Sequence, residues 1–189
     1  VADQIENDLL SLEETVLITE DARQMSLGTA RTYVEPGKMV SVLDLLKGII
    51  IQSGNDATYA LAKYVGGSEE GFVYLMNQYS AEMGLSNTIF QNSTGLPDPN
   101  HFTSAKDLAT MTSLLIRKFP EIYALHKEKY FTFNDIKQPN RNRLLWKDNS
   151  SDGVKTGWTE SAGYCLVSSA KRNDMRLIAV IAGAESDKE

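Results

Sequence analysis

Cysteine occurs once in the 189 residues, at Cys165, which excludes an intrachain disulfide, a disulfide-stapled scaffold and a multi-cysteine metal site such as a zinc finger. Long apolar runs are equally scarce. The longest, Leu45 to Ile51, is interrupted by Lys47 and falls far short of the roughly 20 residues that a membrane span needs. An excess of basic charge is also missing: the net charge is −6 and the lysines and arginines are scattered, so no phosphate-tracking nucleic-acid surface is expected. There is no fixed-period repeat and no low-complexity tract. Val1 to Asp8 has neither the basic start nor the apolar centre of a secretory signal, and no initiator Met is present, so the sequence is expected to begin inside a longer chain. What is there, 42% hydrophobic and 23% charged residues, is an ordinary globular composition with material for one good core.

Helical spacing dominates the first two-thirds. Ser41-Val42-Leu43-Asp44 resembles a capping box with Asp in place of Glu or Gln, and Leu43, Leu46, Ile50 and Ile51 follow at helical intervals, predicting a buried helix from about Val42 to Gln52. After a polar break at Ser53-Gly54-Asn55-Asp56, Ala57, Ala60, Leu61 and Val65 resume the period until Gly66-Gly67. Ser68-Glu69-Glu70 opens a helix reaching about Gly84, and Ser104-Ala105-Lys106-Asp107 opens another to about Lys118. Glu69, Glu70, Asp107 and Glu121 read as solvated charges at helix starts. The last third is β-rich: Tyr130 to Phe133, then Val154 to Gly157, Tyr164 to Ala170 and Met175 to Ala182, the final three joined by short turns. This order predicts an α+β fold, helices packed on an antiparallel sheet, with Cys165 as a small core residue of one strand.

Two tripeptides can carry chemistry. Ser53-Gly54-Asn55 sits at a helix break, where a hydroxyl and a carboxamide two positions apart can be held toward one cleft, although a polar inter-helix turn would use the same residues. Lys155-Thr156-Gly157-Trp158-Thr159 offers a lysine and two hydroxyls along a strand that can face one side, with a glycine admitting close approach; a solvated edge strand has the same composition. His101 and His126 have no carboxylate or second histidine at ligand spacing, so structural roles are expected and no metal or other cofactor is implied.

Taken together, about a hundred residues apart, the two tripeptides resemble two of the three motifs of the penicillin-recognising serine enzymes. Ile49 to Ala57, His126 to Asn134, Gln138 to Trp146 and Asp152 to Thr159 are similar in addition to the low-molecular-mass D-alanyl-D-alanine carboxypeptidases. The resemblance implies a β-lactamase/transpeptidase-like fold and serine acyl transfer on peptidoglycan stem peptides ending in D-Ala-D-Ala, with β-lactams as acylating ligands. In that scheme Ser53 passes a proton toward the departing amine and Asn55 holds the substrate peptide and the site lysine. Lys155 attracts the terminal carboxylate, Thr156 and Thr159 help to seat it, Gly157 lets it approach, and the backbone N–H of Trp158 is an oxyanion donor with its indole as a cleft wall. It further implies an extracytoplasmic or periplasmic location and attachment to the membrane surface through a C-terminal segment.

The sequence departs from that pattern in one respect. The nucleophile motif Ser-x-x-Lys is expected ahead of both others, before Val1, with Val1 to about Leu10 as the remainder of its helix, and residues 1–189 are expected to be a catalytic domain truncated at both ends and inactive alone. The literal match Ser168-Ser169-Ala170-Lys171 falls in a predicted strand, where serine and lysine would point to opposite faces. Two alternatives stay open. A class A β-lactamase shares motif order but typically carries Ser-Asp-Asn and a Glu-x-x-Leu-Asn loop, neither of which is found; a non-catalytic peptidoglycan-binding module of the same fold would account for a missing nucleophile.

Overall fold

In the computed structural model, which describes residues 1–186, the chain divides into two units, each with its own set of packed elements. The first contains Val1–Leu75, Asn92–Thr94 and Tyr130–Asn140. Its elements are α1 (Ala2–Glu6), β1 (Thr15–Leu17), α2 (Glu20–Met25), β2 (Met39–Ser41), α3 (Val42–Lys47), α4 (Asn55–Gly66), the start of α5 (Glu69–Glu82) and the hairpin of β3 (Tyr130–Phe133) with β4 (Ile136–Pro139). Strands β1 and β2 pair antiparallel, Val16 opposite Val40.

Helix α3 starts where the capping chemistry predicts. The Ser41 hydroxyl accepts from the Asp44 N–H at 3.0 Å and donates to the Asp44 carboxylate at 2.8 Å, satisfying a donor that the first turn would otherwise leave open. Leu46, Ile50 and Ile51 are buried as their spacing predicts, but Leu43 is only half-buried, and Val42 and Leu45 take the inner positions instead. The α ladder does not continue to Gln52, however. It widens into a π-turn over Gly48–Gln52, a form with one extra residue per turn that is rare and concentrated at functional sites. Helix α4 closes at Gly67, whose φ of 74° is the left-handed conformation of a glycine C-cap. Asn134 and Asp135, both at positive φ (46° and 60°), form the tight turn between β3 and β4.

The second unit contains Met76–Gln91, Gly95–Lys129 and the chain from Arg141 onward. Helix α6 (Ala105–Lys118) is capped by Ser104, which accepts from the Asp107 N–H at 3.1 Å. Helix α7 (Pro120–Ala124) begins with proline in its first turn, where no N–H partner is needed, and a 3-10 turn (Leu125–Lys127) follows. After α8 (Leu144–Lys147) come three antiparallel strands, β5 (Ser151–Thr159), β6 (Gly163–Arg172) and β7 (Met175–Ala184), in the order β5-β6-β7, with α6 packed on β7. The α+β arrangement of helices on an antiparallel sheet is therefore the observed one.

Four expectations need correction. The first helix covers only Ala2–Glu6 before turning, because Asn7 caps it with its N–H on Asp3 O at 3.1 Å. Asp107 is buried rather than solvated, since its carboxylate accepts from the Asn87 N–H and the Thr88 hydroxyl, both at 2.8 Å. Burial works to raise its pKa, and these bonds outweigh it and hold the carboxyl below its usual range. Glu69 likewise accepts from the Ser93 N–H and hydroxyl instead of facing only water. Cys165 is half-buried, not core, lying opposite Gly157, which supplies no side chain to cover it.

Candidate active site

Ser53, Gly54 and Asn55 lie in the first unit at the junction of the π-turn with α4. Ser53 adopts φ 57°, ψ 36°, a left-handed conformation that costs a residue with a Cβ about 1–2 kcal/mol and persists where the surroundings fix it. Those surroundings are visible in the backbone: the Ser53 N–H donates to Ile49 O at 3.1 Å, the Gly54 N–H to Gly48 O at 3.2 Å and the Asn55 N–H to Ala30 O at 2.9 Å. Gly54 is fixed by crowding, since a Cβ there would overlap the Thr32 side chain and stand 2.7 Å from Thr32 N and 2.9 Å from Asp56 Oδ1. Asn55 is 8% exposed at the first position of α4. The sequence marked this break, but nothing in it encodes the left-handed serine.

Asp56 escaped the sequence reading. Its carboxylate is 2% exposed and accepts from the backbone N–H groups of Thr32 (2.8 Å), Tyr33 (2.8 Å) and Val34 (3.2 Å), as well as from Ala57 at 2.9 Å. One charged side chain thus ties the segment 32–34 to the start of α4, beside the Ser53 turn. A pair of variants isolates the strain at Ser53. Ser53→Gly and Ser53→Ala remove the same hydroxyl, but only glycine is free at positive φ, so the glycine variant should be more stable by about 1 kcal/mol, or melt roughly 2–4 °C higher. Thermal melts followed by circular dichroism read this directly; equal melting temperatures would show that the turn stores no strain.

Lys155, Thr156, Gly157, Trp158 and Thr159 lie in the second unit along β5, an edge strand of its sheet. By the two-residue period of a strand, Lys155, Gly157 and Thr159 share one face and Thr156 and Trp158 the other, so the lysine and both hydroxyls do not all face one way. The Lys155 ammonium donates to Thr156 O at 2.7 Å. Burial, and then the positive charge of Arg141, push Lys155 down to about 8. The Thr159 hydroxyl accepts from the Ala162 N–H at 3.0 Å, closing the turn into β6. Trp158 is 60% exposed, its ring 6.0 Å from that of Tyr164.

The literal Ser168 to Lys171 match sits within unbroken β6, Ser168 opposite Val154 and Lys171 opposite Arg176, an odd offset that sends the two side chains to opposite faces. His126 is buried with its Nδ1–H on Tyr123 O at 3.0 Å and its ring stacked on that of Tyr123; burial pushes its pKa down, consistent with a structural role. Arg141 was absent from the sequence reading, because its effect on Lys155 depends on a spatial approach that spacing does not reveal.

The sequence profile of the D-alanyl-D-alanine carboxypeptidase family matches residues 1–186. D-alanyl-D-alanine carboxypeptidase DacC of Escherichia coli (strain K12) is 50% identical over 193 residues, covering 100% of this chain and 48% of that protein. D-alanyl-D-alanine carboxypeptidase DacF of Bacillus subtilis (strain 168) is 41% identical over 197 residues, covering 100% of this chain and 49% of that protein. Among solved structures, penicillin binding protein 5 from Haemophilus influenzae superposes with a TM-score of 0.95 at 43% identity, over 99% of this chain and 55% of its own. The chain therefore spans about half the length of the curated relatives it matches.

Proposed function

Because the chain belongs to the D-alanyl-D-alanine carboxypeptidase family, we propose that its protein removes the terminal D-alanine of peptidoglycan stem peptides through a serine acyl-enzyme, and that β-lactams acylate the same serine. Both units are read as parts of one catalytic domain. The strongest support is Ser53: a strained, left-handed serine, followed by a glycine that tolerates no side chain and a buried asparagine, marks a turn shaped for a purpose other than joining helices.

In this reading the Ser53 hydroxyl relays a proton toward the departing D-alanine amine, and the Asn55 carboxamide orients the substrate peptide and the lysine base. Lys155 draws in the terminal carboxylate and favours the developing oxyanion. Its ammonium is held by the carbonyl of Thr156, and Thr159, on the same face as Lys155, helps to seat the carboxylate. Gly157 admits the substrate close to the strand, the Trp158 N–H serves as an oxyanion donor and its exposed ring as a wall. An edge strand suits an extended peptide, which can pair with the side that β6 leaves open. A protein that works on cell-wall peptides would act outside the cytoplasmic membrane, and in this reading a segment other than residues 1–189 would hold it at the membrane surface. Among the described residues no helix is long and apolar enough to cross a membrane.

The reading requires a nucleophilic serine with a lysine base outside residues 1–189. Intact mass after incubation with benzylpenicillin tests it, since ring opening adds the whole drug without losing an atom. The full-length protein should gain one benzylpenicillin mass and residues 1–189 alone none. An unmodified full-length protein would favour the non-catalytic peptidoglycan-binding module. Rapid loss of the adduct would favour a β-lactamase.

A further inference from the structure

The second unit holds a closed polar network that the functional reading leaves unused. Asp152 is its hub. Arg176, on β7, donates to both Asp152 carboxylate oxygens at 2.8 and 2.7 Å, and the same guanidinium donates to the Ser169 hydroxyl, on β6, at 2.6 Å. The Tyr123 hydroxyl, on α7, donates to Asp152 Oδ1 at 2.6 Å, and the Arg176 guanidinium lies 5.5 Å from the centre of the Tyr123 ring. Burial works to raise the Asp152 pKa, and the bonds from Arg176 and Tyr123 outweigh it and hold the carboxyl below its usual range.

The place of Asp152 in the sheet gives the network its meaning. Ser151 pairs with Ala170 and Gly153 with Ser169, so two positions advance on β5 while one advances on β6, and Asp152 is the bulged residue left over. A bulge of one residue exchanges the faces of everything beyond it. Without it, Lys155 would project from the opposite side of β5. Behind the bulge the strand is pressed close, since a Cβ on Gly153 would stand 2.9 Å from the Tyr123 hydroxyl and 3.2 Å from His126 Cβ.

We propose that Asp152, clamped by Arg176, Tyr123 and Ser169, is a positioning residue that holds the β5 bulge and thereby aims Lys155. The assignment deepens the proposed function and rests on it. Removing Asp152 or Arg176 frees the bulge to slip, and Lys155 loses its aim while the sheet keeps its strand pairing.

The test is acylation of the full-length protein by a fluorescent penicillin, measured per folded molecule with the folded fraction taken from circular dichroism. Asp152→Ala and Arg176→Ala should each lower the acylation rate constant at saturating penicillin by about 10- to 100-fold, the range expected for a misplacement of about 1 Å. The double variant should be no slower than either single one, because the pair acts as a unit. Arg176→Lys keeps the charge but cannot span two carboxylate oxygens and a hydroxyl, so it should fall nearly as far as alanine. Asp152→Asn keeps the shape and one acceptor oxygen but turns an NH2 toward a guanidinium donor, so it should recover only part of the rate. In Asp152→Ala the alkaline limb of acylation should also move up from near 8 toward the ordinary lysine range as Lys155 swings into water, a shift that a merely weakened fold would not produce. An acylated wild type with Asp152→Ala within twofold of it, or a loss explained by unfolding alone, overturns the positioning role and leaves the acyl-enzyme reading standing. A wild type that no penicillin acylates overturns both.

Discussion

Lys155→Ala should lower the rate at which penicillin acylates the full-length protein by about 100- to 1,000-fold, the cost typical of deleting one donor that stabilises a developing oxyanion. The wild-type rate should also fall as pH rises through about 8, far below the range of an ordinary lysine, because burial and Arg141 disfavour the ammonium. The sign follows from which form works. Attraction for a carboxylate needs the cation, which is present below about 8 and lost above it. Lys155→Arg separates charge from aim: guanidinium stays protonated throughout, so the alkaline limb should disappear even if the maximum rate falls. A limb that persists in the arginine variant would belong to another group. Stability should respond in the opposite direction. The folded state disfavours the protonated lysine, a penalty present in full below about 8 and relieved as pH rises toward the unfolded value of 10.5. Activity and stability contributed by this one residue therefore trade against each other across the same interval.

The largest effect on stability should come from Asp56→Ala. The substitution strands the N–H groups of Thr32 and Val34, both in buried residues, along with those of Tyr33 and Ala57. An unsatisfied buried donor costs about 1–3 kcal/mol, so a total of about 3–5 kcal/mol is expected, equivalent to roughly 10 °C in melting temperature for a domain of this size. Asp56→Asn keeps one acceptor oxygen and should lose about half as much. Urea unfolding of the full-length variants would measure both. A loss below about 1 kcal/mol for alanine would mean that segment 32–34 is held by its packing instead.

Much of this architecture was legible in the residues, for reasons that differ from element to element. Helix α3 announced itself through Ser41 and Asp44 because capping is local chemistry, and α4, α5 and α6 through apolar spacing, although only α4 buries its apolar stripe fully, at Ala57, Ala60 and Leu61. Strands β5 to β7 were readable as long β-rich runs separated by tight turns. Strands β1 and β2 were not, since three residues are too few to display alternation. Asn134-Asp135 did carry a turn signal that would have paired β3 with β4. Of the candidate site, the identities of Ser53, Asn55 and Lys155 were available from spacing and resemblance. Their setting was not. The left-handed serine, the π-turn ahead of it, the Asp56 anchor and the Asp152 hub each depend on partners distant in sequence, and such partners leave no periodic trace.

The open side of β5 has a cost apart from catalysis. A strand edge that could receive an extended peptide, as proposed for β5, is equally a template on which a second copy of the protein can zip, the usual route from exposed edges to aggregates. Two features of β5 guard against that. The bulge at Asp152 breaks the regular ladder and Gly157 weakens its grip on a flat partner. If the proposed function holds, only a short chain with a complementary carboxylate would gain enough from such an edge to stay, and selectivity against self-association would be the by-product of selectivity for substrate.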